Sequence, residues 1–273
     1  MAQGLHRVGL ATHDIAAAGR FFGVHLGLGQ AKRIDERTIC FGEGSRGLRI
    51  HKPDAVLSRA SGRLMAGAGA RHAAIEVDDL EAVAERLFKA SLPVVEAAPG
   101  DFDADALYTL DPSLNLVAFV QSGRSEAAGV QPWERAWGWG LHHVNLPAGN
   151  VRETVAFYVE IAGMREGSWK ASPARGDFSI DPSALAVIAL DDFNRGLHVI
   201  RADAGFAIRN GFAHNPSIGG HPAFHVADVL AVKSRLEADG ILVSDAGNYA
   251  MYGMHQIYVL DPAANMIEVN QFV

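Results

Sequence analysis

The heptapeptide GLHHVNL at residues 140–146 nearly repeats GLHRVGL at residues 4–10. Two longer pairs of segments recur downstream in the same order. They are RHAAIEVDD at 71–79 with GHPAFHVAD at 220–228, and YTLDPSLNLVAFV at 108–120 with YVLDPAANMIEVN at 258–270. Self-similarity in a fixed order is the signature of a repeated structural unit. The chain is therefore predicted to be an internal duplication in which both halves share one fold.

The spacing between the two copies supports the duplication. The offset is 136 between Phe21 and Phe157, and it is 149 between His72 and His221. The difference of 13 residues (149 − 136) falls between about residues 164 and 196. The second half is therefore predicted to carry one inserted segment.

Within each half, a strand, a helix and further strands follow one another twice. Apolar residues at i, i+3 and i+7 predict one helix with a single buried face in each half. These residues are Leu80, Val83 and Leu87 in the first half, and Val229, Val232 and Leu236 in the second. Asp79 and Asp228 precede them as predicted N-caps. The pattern predicts an α+β fold of four βαβββ modules.

The duplication also sets the predicted domain boundaries. Residues 1–121 form the first domain and residues 140–273 the second. The stretch 122–139 contains Gly, Pro and charged residues without a clear period, which is typical of a linker. Its tryptophans are expected to pin the linker between the halves rather than to bind substrate, and they are Trp133, Trp137 and Trp139.

Composition argues against several classes of partner. The 24 Lys and Arg residues and 31 Asp and Glu residues give a net charge of −7, which argues against nucleic acid and anionic membranes. No apolar run approaches the roughly 20 residues that span a bilayer. The N-terminal residues MAQGLHRVG lack the apolar core of a signal peptide, so we expect a cytoplasmic protein. The single cysteine, Cys40, rules out an internal disulfide and a thiolate metal cluster.

Three residues of the second half carry the donor atoms for a metal site. Two histidines and one carboxylate form a facial triad suited to a non-haem divalent metal with open positions. The three residues are His143, His221 and Glu268. The residues aligned with them in the first half are Arg7, His72 and Ala118. Because arginine repels a cation and alanine has no donor atom, we predict one metal site, in the second half.

Several of these motifs resemble the vicinal oxygen chelate superfamily. They are the strand histidine in HHV, an FY pair, a DPxxNxIE ending and duplication over nearly the whole chain. That superfamily includes glyoxalase I, bleomycin-resistance proteins, fosfomycin-resistance enzymes and the two-domain type I extradiol ring-cleaving dioxygenases. The resemblance implies two tandem vicinal-oxygen-chelate domains with curved mixed sheets. Its members share metal chelation rather than one reaction.

A triad confined to the second half is most similar to the extradiol dioxygenases. The resemblance implies Fe(II) as the favoured cofactor, with Mn(II), Zn(II) or Ni(II) as alternatives. It implies a catechol-like small-molecule substrate, O2 as co-substrate, and ring opening next to the diol. Tyr258, ten residues before Glu268, matches a tyrosine that hydrogen-bonds the bound diol. His198 lies in the region of an acid–base histidine, and a histidine moves protons readily near neutral pH.

The sharpest departure from the dioxygenase pattern lies near the C-terminus. The resemblance implies a further histidine nine residues before Tyr258, where this chain has Tyr249. Either Tyr249 or the nearby His255 replaces it, or the enzyme carries out another reaction with the same metal. His142, next to His143, is expected to face away from the metal because neighbouring strand residues alternate between faces.

Two other functions fit the same sequence. A redox-silent lyase or isomerase of glyoxalase type would use a divalent metal to polarise a vicinal oxygen pair. A resistance protein would sequester a ligand between modules. The inserted segment contains Lys170 and Arg175, which could bind a substrate carboxylate. The sequence leaves open whether the protein forms a homo-oligomer.

Overall fold

The computed structural model describes residues 2–43, 46–52, 72–96, 106–121, 136–168, 183–190, 195–248 and 251–273. Most of the predicted linker lies outside these ranges, together with Trp133. So do Lys170 and Arg175 of the inserted segment, and Tyr249.

The first half forms an eight-stranded mixed sheet. Its strands are β1 (Ala2–Ala11), β2 (Lys32–Arg33), β3 (Thr38–Phe41), β4 (Gly47–His51), β5 (His72–Val77), β6 (Val95–Glu96), β7 (Ala106–Leu110) and β8 (Leu116–Gln121). Their order across the sheet is β2-β3-β4-β1-β5-β8-β7-β6. β1 runs parallel to β4 and antiparallel to β5. Two four-stranded modules therefore meet at the β1–β5 pair.

The second half repeats this topology strand for strand. Its strands are β9 (Trp139–Pro147), β10 (Arg165–Glu166), β11 (Leu185–Ala189), β12 (Gly196–Ile200), β13 (His221–Val226), β14 (Ser244–Gly247), β15 (Met254–Leu260) and β16 (Met266–Phe272). Their order is β10-β11-β12-β9-β13-β16-β15-β14. The predicted α+β fold of four modules with mixed sheets is confirmed. Trp139, which we placed at the end of the linker, is the first residue of β9.

The helices in the described ranges are α1 (Ile15–Arg20), which continues into a π-helical turn (Phe21–His25), α2 (Leu80–Lys89), α3 (Val151–Ala162), α4 (Phe206–Asn210) and α5 (Val229–Ala238). Two of them, α2 and α5, begin where the sequence predicts. Asp79 Oδ1 accepts a hydrogen bond from the amide of Ala82 at 2.9 Å, and Asp228 Oδ1 accepts one from Ala231 at 2.8 Å. Both predicted N-caps are confirmed. None of the helices in the described ranges is long and apolar enough to cross a membrane.

One apolar core joins the two halves on the helix-bearing faces of the sheets. Phe22 packs against Phe224 with ring centroids 6.0 Å apart. Trp139 packs on Phe224 at 5.8 Å and donates its indole N–H to the carbonyl of Leu28 at 3.1 Å. Trp137 lies against Trp139 with ring centroids 5.1 Å apart. These two tryptophans contact the core between the halves.

Two equivalent hydrogen bonds, each from an arginine side chain to a backbone carbonyl, connect the halves. Arg86 on α2 donates to the carbonyl of Ile161 on α3 at 2.8 Å. Arg235 on α5 donates to the carbonyl of His25 at 3.0 Å. Both arginines occupy equivalent positions of the duplicated helices, so the pairs are related by the internal repeat. Each module thus contacts the opposite half.

The repeated DPxxN segments have a structural role. Asn115 donates its side-chain amide to the carbonyl of Pro147 at 2.9 Å, and Asn265 donates to the carbonyl of Ala11 at 3.1 Å. Asp111 and Asp261 hold these asparagines in the turn through further hydrogen bonds at 2.9 Å. The motif therefore ties each C-terminal hairpin to the opening strand of the other half.

Candidate metal centre

Three neighbouring strands bring the predicted ligands to one face of the second sheet. His143 lies on β9, His221 on β13 and Glu268 on β16, and β13 pairs with both of the others. Ala223 is the cross-strand partner of His143 on one side and of Glu268 on the other. His221 is two residues before Ala223 and so shares its face. The small side chain of Ala223 leaves room between the ligands.

The ligand atoms of the triad converge. Donor atoms of the three residues all lie within 4.8 Å of one another. Glu268 Oε2 is 3.4 Å from His143 Nε2 and 3.3 Å from His221 Nε2. Each residue is 1% exposed. Two imidazole nitrogens and one carboxylate oxygen thus meet in a buried space, a donor set that suits a divalent cation of the Fe(II), Mn(II) or Zn(II) kind.

The other carboxylate oxygen of Glu268 is held by two amides. Oε1 accepts hydrogen bonds from Gln256 Nε2 and from Asn270 Nδ2, both at 2.9 Å. Burial alone would raise the pKa of Glu268, but the contacts with His143 and His221 hold this pKa well below its usual range. The carboxylate is therefore ionised and oriented before a cation arrives.

A β-bulge places His142 on the same side as His143, contrary to the sequence-based expectation. His143 pairs with Ala223, whereas Leu141 pairs with the adjacent Phe224, so His142 is an extra residue in β9. Such a bulge breaks the alternation of faces and re-aims a side chain. His142 Nδ1 lies 2.8 Å from His143 Nδ1. Burial holds the pKa of His142 well below its usual value, so the ring is neutral.

This contact sets the tautomers of both rings. If His143 presents Nε2 to a metal, its Nδ1 carries the proton and donates to His142 Nδ1. His142 then carries its own proton on Nε2. Ligating histidines usually have such a partner on the second nitrogen, which fixes the orientation of the ring.

The structure brings two further predicted residues to the triad. The His198 ring on β12 stacks on the His143 ring with centroids 3.7 Å apart and an interplanar angle of 14°. Tyr258 on β15 is the cross-strand partner of Glu268. Its ring centroid lies 5.6 Å from that of His221. Both side chains are buried beside the ligands.

His255 is not brought to the site. It lies three residues before Tyr258 on β15, an odd separation that places it on the opposite face. Its Nε2 is 2.8 Å from Asp245 Oδ1, and Asp245 also pairs with Lys233 of α5 at 2.8 Å. His255 thus belongs to the helix-bearing side of the sheet, and we leave it out of the proposed site. Tyr249, the other candidate for this role, lies outside the described residues.

An apolar wall lies next to the triad. Tyr258 clusters with Ala246 of β14, and apolar side chains from α4, the loop after it and β16 pack against that cluster. The members of this wall are Phe206, Phe212, Ala246 and Met266. Phe212 stands 6.2 Å from the Tyr258 ring. The sequence does not reveal Phe206 and Phe212, because their segment shows no periodic pattern.

The first half does not form a comparable centre among its described residues. Ala118 is the cross-strand partner of Tyr108, in the position that Glu268 takes beside Tyr258. Burial and the charge of Arg49 lower the pKa of Arg7 to about 9. An arginine and an alanine thus stand in place of two of the three ligands. The one group of three ligands within the described ranges is the triad of the second half.

The sequence and the fold both match known proteins. Residues 4–119 match the family model described as Glyoxalase/Bleomycin resistance protein/Dioxygenase superfamily. The match covers most of the first half of the chain. The second half repeats the topology of the matched half. A comparison with curated proteins finds no match.

Several solved structures share the fold of nearly the whole chain. The 2,3-dioxygenase LapB from Pseudomonas sp. KL28 is 16% identical, with a TM-score of 0.65 over 98% of this chain and 91% of that one. The 2,2',3-trihydroxybiphenyl 1,2-dioxygenase from Sphingomonas wittichii strain RW1 is 14% identical, with a TM-score of 0.65 over 99% and 91%. The Mn(II)-bound glyoxalase from Novosphingobium aromaticivorans is 14% identical, with a TM-score of 0.63 over 99% and 82%. At such identities the likeness shows the fold and leaves the reaction open.

Proposed function

We propose that this protein is a metal-dependent extradiol-type dioxygenase that opens a catechol-like ring with O2. The observation that carries the proposal is the buried triad of His143, His221 and Glu268, with Tyr258 and His198 against it. The similarity to dioxygenases of the same fold supports it. We also propose the domain boundaries predicted from the sequence. The first domain ends at residue 121, a linker follows, and the second domain begins at residue 140.

The triad would hold Fe(II) and leave one side of the ion open. When bound, Fe(II) supplies the electronic path between a diol and dioxygen. The three ligands contribute one negative charge between them, so a positive charge remains for an anionic diol. Their burial excludes bulk water, which strengthens this attraction.

Tyr258 and His198 have different roles in the proposal. The Tyr258 hydroxyl would donate a hydrogen bond to a diol oxygen, which orients the substrate. The His198 imidazole would accept the diol proton and return it to the product. Phe206 and Phe212 give the site an apolar side, against which an aromatic ring would stack.

The reaction is tested by anaerobic loading with Fe(II), followed by a panel of catechols and then O2. We expect O2 uptake matched by a yellow ring-fission product, and loss of both in Glu268→Gln. If the loaded enzyme takes up no O2 and forms no such product with any catechol of a broad panel, the dioxygenase proposal fails.

One observation favours a second candidate, a redox-silent lyase or isomerase. The dioxygenase resemblance implies a histidine where this chain has Tyr249, and His255 faces away from the site. A metal other than iron would then polarise a vicinal oxygen pair. This candidate predicts turnover with Mn(II), Ni(II) or Zn(II) at the same rate with and without O2. Ligand sequestration alone is disfavoured, because it does not require an intact triad.

A further inference from the structure

Glu268 uses its two carboxylate oxygens in different ways. Oε2 faces the Nε2 atoms of His143 and His221, at 3.4 and 3.3 Å. Oε1 points away from them and accepts two amide hydrogen bonds, from Gln256 and Asn270. An ionised carboxylate can bind a cation through one oxygen or both. With two N–H donors on Oε1, this carboxylate presents one.

The two amides are themselves fixed in place. Gln256 and Asn270 are cross-strand partners on β15 and β16. They are 2% and 0% exposed. Asn270 Oδ1 also lies 3.2 Å from His225 Nδ1. This contact orients the Asn270 amide, because its oxygen takes the His225 N–H and its nitrogen is left to donate to Glu268.

The internal duplication provides a comparison within one molecule. Ala106 and Val120 are cross-strand partners on β7 and β8, as Gln256 and Asn270 are on β15 and β16. Ala118 stands where Glu268 stands. The half that lacks the carboxylate thus has apolar residues in place of both amides.

The glutamine that follows Asn270, by contrast, is present in both halves and makes the same contact in each. Gln121 Oε1 accepts a hydrogen bond from the amide of Leu80 at 2.9 Å, and Gln271 Oε1 accepts one from Val229 at 2.9 Å. This amide supports the start of a helix and is present in both halves. Gln256 and Asn270 are therefore present in the half that contains Glu268 and replaced in the other half. The glutamine at the position of Gln271 is present in both halves.

We propose that Gln256 and Asn270 are positioning residues that restrict Glu268 to metal binding through Oε2 alone. The inference rests on the metal site of the proposed function. A carboxylate that bound through both oxygens would fill one more position on the cation, and that position would be lost to substrate or O2. The pair thus keeps the open side of the site open.

The test uses full-length protein stripped with a chelator and titrated with Mn(II). The variants are Gln256→Met and Asn270→Leu, and the matched control is Gln271→Leu. Calorimetry gives the Kd, and water-proton relaxation of bound Mn(II) counts its exchangeable waters. We expect each variant to weaken binding by about 10- to 100-fold and to lose one exchangeable water. The control should keep the wild-type Kd and water count.

Unchanged Kd values and water counts in both variants would overturn the positioning role. If wild-type protein itself binds no Mn(II), the metal site fails and the positioning role fails with it. Circular dichroism checks that each variant is folded. Should either be unfolded, Gln256→Leu removes the donor with a second apolar side chain, and the same two outcomes apply to it.

Discussion

The imidazole rings of His143 and His198 stack nearly parallel, with centroids 3.7 Å apart. They belong to neighbouring parallel strands, in which Gly196 is the partner of His143 and His198 that of Asn145. His198 thus covers one face of a proposed metal ligand while its ring nitrogens stay at the edge of the stack. In the proposed reaction the contact would serve two functions, packing the His143 ligand and placing a proton acceptor beside it.

Replacing His198 with phenylalanine separates these functions. We expect His198→Phe to keep the stack and the metal affinity, and to lower kcat by about 10²- to 10⁴-fold because the proton acceptor is gone. Steady-state kinetics and Mn(II) titration measure the two effects. His198→Ala should lower both kcat and metal affinity. Retention of most of the wild-type kcat in His198→Phe would contradict the acid–base role.

His142 is expected to control the metal affinity through the tautomer of His143. In His142→Ala the Nδ1–H of His143 loses its acceptor, so the ring is held less firmly and the metal Kd rises by about 10- to 100-fold. Co(II) titration followed by its visible spectrum measures this change. His6 occupies the equivalent bulge of the first half, between Leu5 and Arg7. His6→Ala is therefore the control and should keep the wild-type Kd, and equal effects from both would refute the argument.

His255 is expected to be dispensable for the reaction. Its contact with Asp245 lies on the face opposite to Tyr258. We expect His255→Ala to keep kcat/KM within about twofold of wild type, since only a partly exposed contact with Asp245 is lost. A large fall in kcat with an unchanged melting temperature would show that His255 reaches the substrate after all.

Much of the site follows from the sequence because the duplication fixes the register. Comparing the two halves singles out His143, His221 and Glu268, and the structure brings them together. The even spacing of residues along β15 and β16 also indicates two further residues on the metal face. Gln256 is two residues before Tyr258 and Asn270 two residues after Glu268, so strand alternation places both amides on the metal face. Their apolar counterparts in the first half are the signal that could have found them.

The bulge at His142 could not be predicted from the sequence. Strand alternation gives the wrong face for a residue that is inserted in only one of two paired strands. The bulge is visible only in the register of β9 against β13, where two residues of one strand oppose one of the other. The apolar wall of Phe206 and Phe212 was missed for another reason, since a short helix between strands leaves no period to detect.

Acid should destabilise the protein through a buried histidine of the first half, His51. His51 is 0% exposed, and burial together with the charge of Arg49 lowers its pKa from 6.5 to about 4. Between these two values the unfolded chain binds a proton that the folded chain does not. The free energy of unfolding therefore falls as the pH drops through this window, by up to about 3 kcal/mol from His51 alone. Above about pH 6.5 the contribution is constant.

Urea unfolding of metal-free protein at several pH values between about 7 and 4 measures this loss. His51→Leu removes the titrating group and fills a buried site with an apolar side chain, so its stability should depend less steeply on pH than that of the wild type. Metal-free protein is used so that release of a metal does not contribute to the slope. Every other side chain is unchanged in His51→Leu, so the difference between the two slopes isolates His51. Parallel slopes for variant and wild type would show that His51 binds its proton equally well in both states.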